Sequence, residues 1–144
     1  MVTGRVGTAR LLWAVAVLAA TGVLLRRSVG RIEVVGSSMA PTFLPGDRLV
    51  LVGRPWRPLA WPRPGQVVAV RDPRLPDRIL VKRVAAVDRG AGTLEVLGDA
   101  PGASTDSRSF GPVPRSSLVG RAVYRYAPAG RSGRGPWPEE YHLR

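Results

Sequence analysis

Few residues in this chain could carry out chemistry, and Lys82 is the most distinctive of them. All but one of the 22 basic residues are arginine, and the single lysine lies in the apolar segment 79–84. Arginine stays charged inside a protein, whereas a buried lysine can lose its proton. The need for a removable proton is one reason to keep a lysine at this position. The other is chance in an arginine-rich composition.

Composition argues against several other catalytic chemistries. The chain has no cysteine, and its one histidine, His142, lies close to the C-terminal end. Thiolate sites are therefore excluded, and a histidine-based zinc site or a Ser-His-Asp triad is disfavoured. Catalysis would have to use Ser, Lys, Asp or Glu, and we expect no metal and no cofactor.

A candidate nucleophile lies in the segment 36–42, GSSMAPT, which follows the first predicted strand. A serine in a Gly/Pro-rich turn at a strand end exposes its hydroxyl, and its backbone N–H is free to act as an oxyanion donor. Ser38 is the candidate, whereas its neighbour Ser37 is interpreted as a turn residue. A plain serine turn would have the same local sequence.

The charge distribution indicates which partners to expect. The formal net charge is +12, which favours anionic partners such as lipid headgroups. The arginines are spread along the chain, without a cluster interleaved with aromatic residues and without a known nucleic-acid-binding motif. We therefore predict a positive surface that faces solvent or membrane lipid, and no nucleic-acid partner.

The N-terminal region contains an uncharged apolar run at residues 11–25, which arginines flank on both sides. As a helix it would be roughly 22 Å long, short of the roughly 30 Å hydrocarbon core, but snorkelling arginines extend such a span. A cleaved signal peptide is the alternative; the double arginine after the run argues against it. We predict a basic segment at 1–10 and one transmembrane helix at 11–27, whose orientation the flanking charges do not determine.

After the anchor, the pattern predicts a mainly β domain. Short Val/Leu/Ile-rich segments alternate with Gly and Pro, and they lie at 32–35, 48–52, 66–71, 78–87, 93–97 and 118–126. This spacing is typical of a β-sandwich or β-barrel, with no amphipathic helix after residue 31. The tryptophan-containing stretch 53–64 is predicted to be an extended, exposed loop, and 128–144 a polar, loosely ordered tail.

Three motifs occur together in a characteristic order. Ser-Met-x-Pro-Thr covers residues 38–42, Lys-Arg follows in an apolar strand at 82–83, and Gly-Asp at 98–99 precedes Ser-x-Asp-Ser-Arg at 104–108. The set resembles the type I signal peptidases, membrane-bound serine proteases that use a Ser/Lys dyad. The resemblance implies a compact β-barrel or β-sandwich catalytic domain of the signal-peptidase type over residues 31–127.

The resemblance also implies roles for single residues. Ser38 is expected to be the nucleophile and Lys82 its general base, with Ser104 orienting the lysine amine. Asp106 and Arg108 match a pair that supports this region and that would be an ion pair in any case. Further motif positions are Met39, Pro41 and Thr42.

Elementary physical chemistry is consistent with a basic lysine. An ordinary lysine is almost fully protonated at pH 7, and burial can lower its pKa by up to about 3–5 units. The apolar neighbours of Lys82 provide such a setting. Arg83 should point to the opposite face of the strand, away from the amine.

Two departures from the family pattern matter. Some members have a serine hydroxyl in the oxyanion hole two residues before the nucleophile, where this chain has Gly36, so the hole is expected to use backbone N–H groups such as that of Ser38. Only the 16 residues 83–98 separate Lys82 from Asp99, too few for the large inserted domain of bigger members. The chain resembles a single-anchor catalytic core.

The favoured interpretation is a serine endopeptidase in the plasma membrane, with its catalytic domain outside the cytoplasm. Its substrate would be a preprotein, bound as an extended strand with small residues at −1 and −3. Residues 102–114 also resemble the cytoplasmic peptidases that trim nickel superoxide dismutase precursors, so a dedicated maturation protease is one alternative. An inactive, membrane-tethered module that binds peptide or lipid is another.

Overall fold

The computed structural model describes residues 5–53 and 61–137, which form an N-terminal helix and a mainly β domain. Helix α1 spans Arg5–Ser28 and α2 spans Ser107–Phe110. The strands are β1 (Val29–Glu33), β2 (Arg48–Gly53), β3 (Val67–Arg71), β4 (Ile79–Asp88), β5 (Thr93–Leu97), β6 (Val113–Pro114), β7 (Leu118–Ala127) and β8 (Gly133–Arg134). The prediction of a mainly β domain is confirmed.

Within the described ranges, the eight strands form one curled antiparallel sheet. Its order is β1-β2-β7-β3-β4-β5-β6, and β8 pairs with β7. The two ten-residue strands, β4 and β7, connect its parts. The first half of β4 pairs with β3 and its second half with β5, so residues 79–82 have one edge that β5 does not cover.

Strand β3 lies at the centre of the domain because both of its faces are apolar. Val67 and Ala69 pack into one hydrophobic cluster with Met39 and Phe43, whereas the alternate residues of β3 pack into a second cluster. Side chains of a strand point alternately to its two faces, so a continuous apolar run is what a strand buried on both sides requires. The two clusters carry the loops that form the site described below.

Each of the six predicted strands is present. The first is shifted towards the N-terminus relative to the predicted range 32–35. Strand β1 begins at Val29, directly after α1, and ends at Glu33. Val34 lies just after the end of this strand and is buried. Its N–H donates to the carbonyl of Asp47 (2.8 Å) across the loop that follows. The short elements β6, β8 and α2 were not predicted, because two to four residues carry too little periodic pattern.

Helix α1 contains the apolar run of residues 11–25. The large apolar side chains described in this run are exposed, among them Leu12 at 69% and Trp13 at 73%. No helix in the described part of the chain is long and apolar enough to cross a membrane.

The segment after β7 is folded as far as residue 137. A 3-10 turn at Ala129–Arg131 leads into β8, Arg131 forms an ion pair with buried Asp47, and the ring of Trp137 packs against Phe43. The sequence predicts a loosely ordered tail over 128–144. The structure differs for 128–137 because these residues find partners far away in the sequence, and residues 138–144 lie outside the described residues.

The Trp-containing loop lies only partly within the described residues. Residues 54–60 are outside them. Trp61, predicted to be exposed, is half-buried, and the guanidinium of Arg115 lies 4.7 Å from its ring centroid. This tryptophan packs against the second hydrophobic cluster.

Candidate active site

The loop between β1 and β2 presents Ser38 at the surface of the domain. Two buried side chains, Met39 and Phe43, anchor the loop from below, and the N–H of Phe43 donates to the carbonyl of Met39 (2.8 Å). Ser38 itself is half-buried. Its carbonyl accepts a hydrogen bond from the N–H of Ala100 (3.0 Å), which ties the loop to the segment after β5.

Lys82 lies in the first half of β4 and is 2% exposed. Burial lowers the pKa of its amine from 10.5 to about 8, since the charged form is deprived of water. The carboxylate of Asp106 opposes this change, whereas the nearby charges of Arg78 and Arg108 add to it. The amine is therefore much closer to losing its proton near neutral pH than an exposed lysine would be.

The amine of Lys82 has a defined hydrogen-bond partner. Its Nζ donates to Oγ of Ser104 (3.0 Å), and the hydroxyl of Ser104 in turn donates to Oδ2 of Asp106 (2.5 Å). Because the hydroxyl proton of Ser104 points at the carboxylate, an oxygen lone pair faces the lysine. The chain of donors thus fixes the direction of the amine.

Asp106 is fully buried and ionised. Burial by itself would raise the pKa of this carboxyl, but hydrogen bonds from Arg108, from the N–H of Gly98 and from Ser104 hold it well below its usual range. Arg108 donates from Nε (2.9 Å) and Nη2 (2.5 Å), and its own N–H is capped by the carboxylate at the start of α2. The predicted Asp106–Arg108 ion pair is present.

Gly98 is the point where the Ser38 loop and the Ser104 segment approach each other. A Cβ added here would lie 2.2 Å from Oγ of Ser104 and 2.5 Å from the carbonyl oxygen of Ser38. Neither distance is compatible with a side chain. Glycine is required at this position because any Cβ would keep the two segments apart.

Ser38 and Lys82 line one cavity of about 380 Å³, which we call the Ser38–Lys82 groove. Its walls are the chain from Ile32 to Met39 on one side and the start of β4 on the other, with Gly36 exposed within it. Arg74 and Arg78 line the same cavity. Its lining combines apolar residues such as Ile32, Ile79 and Val81 with these charged and polar groups.

Of the other motif residues, Met39 and Thr42 hold the Ser38 loop in place. Met39 is in the core, and Pro41 is exposed and is not part of the groove lining. Thr42 donates from its hydroxyl to Oδ2 of Asp99 (2.6 Å), while its carbonyl accepts from Arg125 (2.9 Å). The motif residues after Ser38 thus fix the loop that carries it to Asp99 and Arg125.

Sequence reasoning used Asp99 only as part of the Gly-Asp motif and did not predict its partner. Asp99 and Arg83 form a buried ion pair with side chains 6% and 3% exposed, and the Nη2–Oδ2 distance is 2.6 Å. Arg83 also donates to the backbone carbonyls of Gly65 (2.8 Å) and Trp137 (2.6 Å). An acidic residue directly after a buried strand was the available signal, but it does not identify the partner.

Comparison with known proteins places this geometry in context. A sequence model of the family described as signal peptidase, peptidase S26, matches residues 7–88 and 90–127. The match includes every residue of the groove lining and ends before β8.

Three relatives are similar over much of the chain. Mitochondrial ATP-independent inner membrane protease subunit 1b of Arabidopsis thaliana is 32% identical over 65% of this chain and 67% of its own length. Subunit 1a of the same plant is 38% identical over 54% of this chain and 52% of its own length. Mitochondrial inner membrane protease subunit 2 of Schizosaccharomyces pombe is 33% identical over 74% of this chain and 68% of its own length. The aligned part of the chain thus spans from about half to about two thirds of these proteins.

Replacing the buried amine should stabilise the fold in a pH-dependent way. At pH 7 the folded protein holds a desolvated ammonium, so Lys82→Met should raise the free energy of unfolding by about 1–3 kcal/mol, given ~1.4 kcal/mol per pKa unit. The folded pKa is lowered, so this cost is complete below pH 8 and disappears as the pH rises towards 10.5. Urea denaturation of both proteins at pH 7 and pH 10 measures the difference. An advantage of Lys82→Met that is the same at both pH values would contradict the assignment.

Proposed function

The chain belongs to the signal peptidase family, peptidase S26, which makes it a serine protease, and we propose that it removes N-terminal signal peptides from exported preproteins. The observation that supports a Ser/Lys mechanism is the buried Lys82 amine, which donates to Ser104 Oγ (3.0 Å) and lines the same groove as Ser38. His142, the one histidine of the chain, lies outside the described residues.

In the proposed reaction, Ser38 and Lys82 work as nucleophile and general base. The neutral amine takes the proton of the Ser38 hydroxyl while Oγ attacks the carbonyl carbon of the scissile bond. The resulting ammonium then gives its proton to the leaving amine, and an ester to Ser38 remains. Water, deprotonated by the same amine, then attacks the ester carbonyl. The bond to Oγ breaks, the carboxylic acid product leaves, and the ammonium returns its proton to Oγ of Ser38.

Ser104 has the role of orienting the base. Its hydroxyl proton is held by Asp106, so it can accept a hydrogen bond from the amine. This leaves the nitrogen lone pair of neutral Lys82 to be directed elsewhere, and we propose that it faces the Ser38 hydroxyl. Asp106 and Arg108 keep Ser104 in place and do not contact substrate.

The oxyanion hole is proposed to use backbone donors, with the N–H of Ser38 as the first of them. Gly36 lines the same groove and offers no side-chain hydroxyl. A Cβ at this position would meet nothing within 4 Å. The structure therefore has room for a side chain at position 36, and a side-chain donor is missing only because the residue is glycine.

Substrate is proposed to bind as an extended strand in the Ser38–Lys82 groove. Among the described residues, β1 pairs with β2 along one edge, and residues 79–82 of β4 have an edge that β5 does not cover. A peptide between these edges can add main-chain hydrogen bonds to either strand. The apolar residues Ile32, Ile79 and Val81 line the groove, which suits small residues at −1 and −3.

We propose that α1 anchors the protein in the plasma membrane, with the catalytic domain outside the cytoplasm. The described part of the helix exposes Leu11, Leu12, Trp13 and Leu18 by 67% or more, an unfavourable arrangement in water. Arginines that flank the apolar run in the sequence can extend a short span by snorkelling. The names of the similar proteins, which are inner membrane proteases, support membrane association.

Removal of either dyad residue should abolish cleavage. Ser38→Ala and Lys82→Arg should each lower kcat by at least about 10⁴-fold, because nucleophile and base act as a unit. The assay is cleavage of a synthetic peptide with alanine at −1 and −3 by the full chain in detergent. Lys82→Met serves as a second base variant that is expected to fold at least as well as the wild type.

Ser116→Ala is the matched control for these variants, since it removes an exposed hydroxyl outside the groove and should leave kcat near the wild-type value. Cleavage by Ser38→Ala or by folded Lys82→Arg would contradict the mechanism.

The pH dependence of cleavage should report the lysine. Because the neutral amine is the active form and its pKa is about 8, kcat/KM should fall about tenfold per pH unit below pH 8. Arg78→Gln removes a charge that lowers this pKa, so its acid limb should move to higher pH. Arg89→Gln, an exposed arginine in the turn after β4, is the control and should leave the limb in place. An acid limb near pH 6 would argue against Lys82 as the base.

The location of the domain can be measured in cells that express the full chain. We expect the protein to resist carbonate extraction and its domain to be digested by protease added to intact cells. Release by carbonate would contradict the anchor. Protection from the protease would contradict an external domain and favour a cytoplasmic maturation protease.

A further inference from the structure

Trp137 contacts Phe43 in the loop that carries Ser38 and Arg83 in the strand that carries Lys82, although it lies outside the groove. It belongs to the segment after β7, beyond residue 127 where the family match ends. Neither it nor the residues it contacts line the Ser38–Lys82 groove. Any influence on catalysis must therefore act through the placement of other residues.

The first contact supports the Ser38 loop. The ring of Trp137 packs edge-on against Phe43, with centroids 4.8 Å apart and an interplanar angle of 72°. Phe43 is fully buried, and its N–H donates to the carbonyl of Met39, the residue after Ser38. Phe43 is held from another direction by Arg125, whose guanidinium lies 5.6 Å from the ring centroid. Displacement of the Trp137 ring would remove one wall of this support.

The second contact supports the lysine strand. The carbonyl of Trp137 accepts a hydrogen bond from Nη1 of Arg83 (2.6 Å), the residue next to Lys82 in β4. Arg83 also pairs with Asp99, and Asp99 accepts from the hydroxyl of Thr42 in the Ser38 loop. The loop and the strand are thus joined through one buried network that Trp137 closes.

The position of Trp137 is itself well defined. Strand β8 pairs with β7 just before it, and the N–H of Gly135 donates to the carbonyl of Val123 (3.1 Å). The ring folds back over Gly135, so that a Cβ there would lie 2.9 Å from it. A side chain at position 135 would push the ring away from Phe43.

We propose that Trp137 is a positioning residue, which clamps the Ser38 loop and the Lys82 strand in the relative arrangement that proton transfer needs. The proposal rests on the Ser/Lys mechanism. It gives the segment 128–137 a function in the reaction, although no residue of that segment lines the groove. Because a displacement of about 1 Å can cost about 10²-fold in rate, a clamp of this kind affects kcat before it affects binding.

The test compares four full-length variants in the peptide cleavage assay. Trp137→Ala and Gly135→Ala should lower kcat by about 10- to 100-fold with KM unchanged, since the groove itself is intact. Trp137→Phe keeps an aromatic edge against Phe43 and should recover most of the loss. Trp61→Ala is the matched control, because Trp61 is also half-buried but packs against the second hydrophobic cluster and Arg115.

Thermal unfolding of each variant separates positioning from general destabilisation. The proposal is overturned if folded Trp137→Ala keeps the wild-type kcat, or if Trp61→Ala loses as much kcat at the same loss of stability. If Trp137→Ala does not fold, Gly135→Ala decides the question by the same criteria. Activity of Ser38→Ala would instead overturn the Ser/Lys mechanism, whatever the Trp137 variants do.

Discussion

The structure is organised around the removal of one lysine amine from water. Lys82 is 2% exposed; burial disfavours its charged form, whereas nearby carboxylates, above all that of Asp106, favour it. The carboxylate does not contact the amine directly, since Ser104 lies between them and hydrogen-bonds to both. A direct ion pair would favour the ammonium strongly, whereas an intervening hydroxyl orients the amine and weakens that preference. Ser104 can lie between the amine and the carboxylate because Gly98, which has no side chain, leaves room for it.

Two adjacent residues of β4 show how differently the two cations are used. Lys82 points to the groove and has a lowered pKa, while Arg83 points to the other side and holds a permanent charge against Asp99. A guanidinium with several donors can satisfy a carboxylate and two backbone carbonyls at once, which suits a buried structural network. Strand alternation separates the two roles by one residue. The structural charge of Arg83 is therefore not among the charges that shift the pKa of Lys82.

The sequence predicted the mainly β character of the domain and its six main strands because these depend on local periodicity. It also selected Ser38, Lys82, Ser104, Asp106 and Arg108, and the structure brings these five together. Their catalytic roles stay predictions until activity is measured. The Asp99–Arg83 pair and the contact of Trp137 with Phe43 were not predicted, since each joins residues far apart in the chain through packing that no local pattern encodes. The predicted loose tail differs from the observed segment 128–137 for the same reason, because a Pro/Gly/Arg-rich composition does not reveal a distant partner.

By itself, the sequence determined which chemistry was available to this protein. One lysine among arginines, no cysteine and a serine in a strand-end turn restrict the options through the protonation behaviour of side chains, which composition alone reveals. Only the tertiary structure decided whether that lysine is buried away from water and which hydroxyl its amine contacts. The tertiary structure also decided which contacts hold the Ser38 loop against the strand of Lys82. These properties depend on burial and on distances of about 3 Å between segments 16 to 83 residues apart in the chain, from Arg83–Asp99 to Thr42–Arg125. They arise only when the sheet curls and brings its loops into contact.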